Sequence, residues 1–213
     1  MPRVQPRRLP MLTLLCAAMV VAGAALGCNP LGGGTDPTPT RPAATIPADK
    51  QFKAPDQVLK PGKLYFVTFR TDAGDITFQL FPEHAPDVVN SFVFLAQKGF
   101  FDKNLFFRVE KGSYVQAGDP TGRGSAGPGY TIEDDQNNLA NVRGMISMGK
   151  QARDNKVGSV FFINTGDNPS FDGDRSDFKR LNPFGKVVVG EELLDALTDG
   201  MFISRAIVTE QEP

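Results

Sequence analysis

A single histidine, His84, and two cysteines, Cys16 and Cys28, are all that 213 residues offer for conventional nucleophilic or redox chemistry. His84 stands in Pro82-Glu83-His84-Ala85-Pro86 with no serine nearby in a strained G-x-S-x-G turn, so it reads as a surface residue and a hydrolytic triad is excluded. Ser159, in Gly158-Ser159-Val160, has no base assigned to it and reads as structural. No pair of acids is isolated in apolar sequence, which removes paired-carboxylate catalysis. A basic surplus is also missing: 23 Lys and Arg face 24 Asp and Glu, so the chain carries no nucleic-acid footprint.

Two motif matches fail on context. Gly122-Arg123-Gly124-Ser125-Ala126-Gly127 fits G-x-G-x-x-G, but Pro128, Gly129 and Tyr130 follow at once and prevent the helix whose N-terminus would hold a pyrophosphate. Asp172-Gly173-Asp174 opens like a calcium loop, yet its twelfth position is Pro183, where an acid is required. Glu133, Asp134 and Asp135 read as a solvated turn rather than metal ligands. The reading therefore calls for no metal and no cofactor.

What is present begins with Arg3, Arg7 and Arg8 ahead of the apolar run 11–26, a signal-peptide pattern. About sixteen apolar residues fall short of the roughly 20 needed to span a bilayer, which disfavours a retained transmembrane helix. The ending Ala24-Ala25-Leu26-Gly27-Cys28 resembles the lipobox of bacterial lipoproteins and implies a diacylglyceryl group on Cys28 as the membrane anchor. Ordinary secretion with Cys28 as a stray thiol is the other reading, and on either one no intramolecular disulfide forms. Loss of residues 1–27 takes the net charge to −4.

From 28 to 61 the sequence is rich in Gly, Thr and Pro and cannot bury enough apolar surface to fold. It reads as a tether, and about thirty residues at roughly 3.1 Å each could reach about 100 Å. An arm packed on the domain stays open for Phe52 to Leu59 and is not expected upstream. The folded domain is expected over 62–210. Strand patterns occupy 64–70, 75–81, 105–109, 114–117, 144–148, 160–164, 184–189 and 202–208. A helix should start at Pro86 with Val88, Phe92, Leu95 and Ala96 on one face, and a short one at Glu191 should carry Leu193, Leu194 and Leu197. Many short strands, two helices and abundant glycine indicate a mainly β barrel.

Arg108 lies eight residues before Gln116 within apolar sequence that runs into a glycine-rich loop, a spacing suited to a peptide-binding site. The order of blocks then becomes informative: Phe106 to Asp119, Pro120 to Tyr130, Gly144 to Gly149, Gly158 to Ile163, Phe171-Asp172-Gly173 and Phe184 to Val187. In that order they resemble the cyclophilins over about 64–209. The resemblance implies a closed eight-stranded barrel capped by two helices and isomerisation of X-Pro bonds in proline-containing polypeptides. It implies Arg108 as the catalytic arginine, Gln116 as a substrate-backbone ligand and Phe162 as the floor of the proline pocket.

The departures from the family pattern are specific. Ser113 stands in place of the phenylalanine that walls the pocket, Tyr114 in place of a methionine, Val160 in place of a glutamine and Gly149 in place of an alanine. Phe171 falls at an apolar pocket position, and Ser170 and Leu181 take places often held by tryptophan and by histidine or tyrosine. About six extra residues between Gly173 and Phe184, among them Arg175, Lys179 and Arg180, lengthen the loop beside the pocket. Loss of one buried aromatic costs about 1.5–3 kcal/mol, or roughly 10- to 100-fold in affinity, unless Tyr114 refills the space. Two functions stay open: a lipid-anchored, extracytoplasmic isomerase of the bacterial cell membrane, and a weakly catalytic barrel that grips proline segments or a partner. A monomer is the expectation for either.

Overall fold

The computed structural model describes residues 45–150, 154–174 and 179–213. The leader, Cys28 and the upper part of the tether lie outside the described residues. Strands β1 (Leu64–Thr71) and β2 (Gly74–Leu80) form the expected hairpin, and period-two alternation buries Tyr65, Val67 and Phe69 on one and Ile76, Phe78 and Leu80 on the other. The remaining strands are β3 (Asn104–Leu105), β4 (Arg108–Glu110), β5 (Tyr114–Ala117), β6 (Ile132–Glu133), β7 (Met145–Lys150), β8 (Lys156–Asn164), β9 (Pro183–Val189) and β10 (Phe202–Gln211).

All of them join one antiparallel sheet in the order β3-β10-β1-β2-β9-β7-β8-β5-β4, with β6 paired to β8. The eight-stranded expectation undercounts for two local reasons. The stretch 104–110 changes partner midway: Phe106 N donates to Met201 O on one side (2.9 Å) and Phe107 N to Gln116 O on the other (3.0 Å). It is therefore two strands, β3 and β4, and these form opposite edges of a curled sheet with no ladder between them among the described residues. The tenth strand, β6, spans two residues and carries too little pattern to be read from sequence.

Of the two expected helices, α1 (Pro86–Gln97) starts at the expected proline, and Asp135 Oδ2 accepts from Val88 N at 2.9 Å to satisfy a first-turn donor from 47 residues away. The second, Glu191–Ala196, is a 3-10 helix rather than an α-helix, and its N-cap residue, Gly190, has φ +80°. No described helix is long and apolar enough to cross a membrane.

Helix α1 buries every residue from Val88 to Ala96, not a single face. One side meets the aromatic core, where Phe92 stacks obliquely on Phe101 (centroids 4.8 Å) and Phe184 (4.9 Å), and Phe69 stacks on Phe161 (5.5 Å). The other side is covered by residues that composition assigned to the tether. Asn90 Oδ1 accepts from Val58 N (2.8 Å) and Leu59 N (3.3 Å), and the Phe52 ring meets Phe94 edge-on at 5.2 Å. The packed arm begins upstream of Phe52, since Lys50 Nζ donates to Phe100 O (3.1 Å) and Gln51 Nε2 to Gly127 O (3.0 Å).

Candidate functional site

Three short ladders build the site. Arg108 on β4 pairs with Gln116 on β5, and Gln116 pairs with Phe162 on β8, so the three stand in one row across adjacent strands. Alternation puts their neighbours Val109, Val115, Phe161 and Ile163 inward, while Arg108, Gln116 and Phe162 remain at least partly exposed on the outer face. Tyr114 and Glu110 share that face, two residues from Gln116 and Arg108 respectively.

An aromatic triad flanks the row. Tyr114 and Phe162 meet edge to face at 5.1 Å, Tyr114 and Phe171 at 5.6 Å, and Phe162 and Phe171 at 5.9 Å. The Arg108 guanidinium stands 5.5 Å from the Tyr114 ring centroid, and its Nε donates to Glu110 Oε1 at 3.1 Å. Among the described residues this is the one side-chain hydrogen bond found for Arg108, and it does not use the two terminal nitrogens of the fork. Burial raises the Tyr114 hydroxyl above its ordinary pKa, with Arg108 opposing, so the ring presents a neutral phenol.

The opposite flank is a cavity of about 490 Å³ lined by Gln116, Phe162, Gly149 and Val160 among others. Two departures from the family pattern fit each other there. A Cβ on Gly149 would lie 3.0 Å from Phe162 Cε2 and 3.0 Å from Val160 Cγ1, so the branched valine takes up the space that an alanine would need.

Ser113 and Leu181 stand apart from this group. The Ser113 hydroxyl donates to Asn168 Oδ1 (2.6 Å), the last link of a buried chain from Ser147 through Asn141, Asn164 and Asn168. Leu181 is buried and tied to Phe171 through its backbone N–H (3.0 Å). Arg175 of the lengthened loop lies outside the described residues; at the loop's described ends Arg180 donates to Asp172 O and Leu139 O, and Lys179 pairs with Asp174 at 2.7 Å.

The quiet readings have mixed outcomes. Ser159 is buried and donates to Gly118 O at 2.7 Å, and His84 is exposed, as expected. Asp134 is not part of a solvated turn: it is buried against Lys150 (2.8 Å) and Asn182 (2.6 Å). Among the described residues no group of three or more His, Cys, Asp or Glu is placed to hold a metal. Sequence reasoning missed Glu110, which the two-residue period of β4 could have supplied, and it missed Ile46 and Gln51, for which composition gives no signal.

An exposed guanidinium, an amide side chain and an aromatic cluster stand side by side on one face of the sheet, beside a cavity of mixed polar and apolar lining. The family model for cyclophilin type peptidyl-prolyl cis-trans isomerase/CLD matches residues 66–211, and the chain belongs to this family. Its activity is cis/trans isomerisation of peptidyl-prolyl bonds. A peptidyl-prolyl cis-trans isomerase of Helicobacter pylori is 36% identical over 149 residues, covering 68% of this chain and 87% of that protein. A Streptococcus pyogenes protein whose name pairs a phosphatase with a peptidyl-prolyl cis-trans isomerase is 40% identical over 119 residues; the match takes in 54% of this chain but only 25% of that protein. The crystal structure of a cyclophilin type isomerase from Cryptosporidium parvum has a TM-score of 0.62 at 27% identity, covering 70% of this chain and 99% of that one. A second structure of that protein was determined in the presence of the dipeptide Ala-Pro.

Proposed function

We propose that Arg108 is the catalytic residue, that Gln116 binds the substrate backbone, and that Tyr114, Phe162 and Phe171 receive the proline ring. The observation that carries this reading is the row Arg108–Gln116–Phe162 across β4, β5 and β8, with the aromatic triad beside it. Rotation about a prolyl amide faces a barrier of about 20 kcal/mol because resonance must be lost. A donor near the amide stabilises the twisted form, whose nitrogen is pyramidal and holds a lone pair. An acceleration of about 10⁵ asks for about 7 kcal/mol of preferential transition-state binding, within reach of a charged donor in a desolvated pocket.

The competing reading, a barrel that binds without catalysing, rests on the lost pocket wall at Ser113 and on Val160 in place of a glutamine. Phe171 against Tyr114 supplies aromatic surface at that flank, which favours the enzyme. Gly149, Ser113 and Leu181 then act by shaping the pocket's surroundings rather than by touching the reacting bond. The substrates in this proposal are extracytoplasmic polypeptides, and the protein is held at the bacterial cell membrane by a lipid on Cys28. The basic leader, its apolar run and the lipobox-like ending support that placement.

The test is prolyl isomerisation by the purified protein and by Gln116→Ala. The variant is expected to lose about tenfold in kcat/KM, the worth of one hydrogen bond to substrate. Unchanged kcat/KM in a folded variant would remove Gln116 from the site.

A further inference from the structure

The cavity beside the row has a wall that the sheet does not supply. Ile46 and Gln51, from the arm ahead of β1, line it together with Gln116, Gly149, Val160 and Phe162. The arm is fixed there by several independent contacts. Lys50 Nζ donates to Phe100 O (3.1 Å) and Asp102 O (3.0 Å), Gln51 Nε2 donates to Gly127 O (3.0 Å), and Phe52 N donates to Pro128 O (2.7 Å). The receiving loop is shaped for it: Gly129 has φ +92°, and a Cβ there would lie 2.7 Å from Phe52 O. A segment held this way keeps its side chains in place relative to Gln116.

The charge in this cavity is already spoken for. Lys150 is the one ionisable group with a formal charge at neutral pH among the described lining residues, and it is paired with Asp134 at 2.8 Å with 1% of each side chain exposed. A charged substrate side chain entering here would lose water and gain no counter-ion.

We propose that Ile46 and Gln51 are specificity-determining residues: they contact the polypeptide substrate at a position away from the proline and favour an uncharged side chain there. This rests on the reading of the Arg108–Gln116–Phe162 row as the proline site. A substrate extended across Gln116 runs from the aromatic triad on one flank into the cavity on the other, and the arm meets it there. Ile46 supplies the apolar contact, and the Gln51 side chain, donating to Gly127 O, supplies the polar edge.

The experiment uses the full chain with Ile46→Ala, Ile46→Lys and Gln51→Ala. The probes are a short Ala-Pro peptide and a panel of longer peptides carrying Leu, Gln or Glu in turn at three positions on either side of that Ala-Pro. For the unaltered chain, kcat/KM at one position should favour Leu or Gln over Glu. Ile46→Ala should lower kcat/KM for the Leu peptide at that position by about tenfold, the worth of one apolar contact in a pocket. Ile46→Lys should raise the Glu peptide relative to Leu, and Gln51→Ala should reduce the preference for Gln. The short peptide should be turned over equally by all four proteins. Identical selectivity across the panel in all variants would overturn the proposal. So would equal losses on short and long peptides, since these would make the arm a general support. Arg108→Ala and Gln116→Ala are run beside them on the short peptide, and turnover at the unaltered rate in both would instead overturn the proline-site reading, so the two failures are distinguishable.

Discussion

Arg108 Nε donates to Glu110 Oε1 at 3.1 Å from two residues along the same face of β4. Both side chains are about half exposed, so the pair adds roughly 0.2–1 kcal/mol at most to stability. Its consequence is orientation: Nε engaged by Glu110 and the guanidinium 5.5 Å from the Tyr114 ring hold the side chain against the outer face of β4 and β5. Glu110→Ala should leave the unfolding midpoint nearly unchanged and lower kcat about two- to fivefold, corresponding to loss of a weak exposed pair. Steady-state kinetics beside thermal unfolding checks this, and a variant with unaltered kcat would show that Arg108 orients itself.

In the proposed mechanism Arg108 acts on the twisted amide, whose lone pair the planar ground state lacks. Arg108→Ala should therefore cut kcat/KM by about 10²–10³ while the dissociation constant of the same peptide moves far less. Arg108→Lys should recover only part, because an ammonium does not reproduce the planar fork. Equal losses in rate and affinity would reduce Arg108 to a substrate holder.

Tyr114 is central to the triad, with Phe162 at 5.1 Å, Phe171 at 5.6 Å and the Arg108 guanidinium at 5.5 Å. Tyr114→Ala should weaken proline-peptide binding by roughly 10- to 100-fold, the loss of about 1.5–3 kcal/mol of aromatic burial. Tyr114→Phe should retain most of it, because no hydrogen bond of the hydroxyl enters the argument. Titration calorimetry on folded variants decides, and unchanged affinity in Tyr114→Ala would place the proline elsewhere.

The sheet was legible where one face is buried and the other wet, because alternation then leaves a trace: β1, β2, β5 and β9 lie where the pattern puts them. It was not legible at β6, two residues long, nor at the partner change between Phe106 and Phe107, which depends on contacts with Met201 and Gln116 far along the chain. Arg108, Gln116 and Phe162 could be named from ordered sequence blocks, since each block is local. The arm could not. Pro, Ala and Lys around Ile46 carry no periodicity, and only the second apolar face of α1 and the cradle at Gly129 give them a place. Asp134 was misjudged for the same reason: its partner Lys150 comes from another strand.

Cys28 carries the localisation proposal. Cys28→Ser should move the protein from the detergent-extracted membrane fraction to the soluble secreted fraction, because lipid anchoring gains about 0.8 kcal/mol per buried methylene and two chains hold firmly. Continued membrane retention with the leader removed would overturn the lipoprotein reading.

Asp119 organises the glycine-rich loop that lines the cavity. It is fully buried, and its carboxylate accepts from Thr121 N (2.6 Å), Thr121 Oγ1 (2.8 Å), Ser125 N (2.9 Å), Ala126 N (3.0 Å) and Arg123 N (3.3 Å). Burial pushes its pKa up, but the bonds from Ala126, Thr121 and Ser125 outweigh burial and hold it below the ordinary carboxylate value. A folded-state value below the unfolded one means that the group contributes stability above the unfolded pKa, about 3.9 for Asp, and loses it as pH falls through the folded value. Asp119→Asn keeps the shape but turns an acceptor-only group into one with two donors facing backbone N–H groups. It should lower unfolding free energy at pH 7 by about 2–3 kcal/mol, the scale of losing a charged acceptor. Urea unfolding of both proteins at pH 7, 5 and 3 checks the sign. The gap should be equal at the first two values and narrow at the third, whereas a gap independent of pH would mean that the carboxylate's charge does not hold the loop.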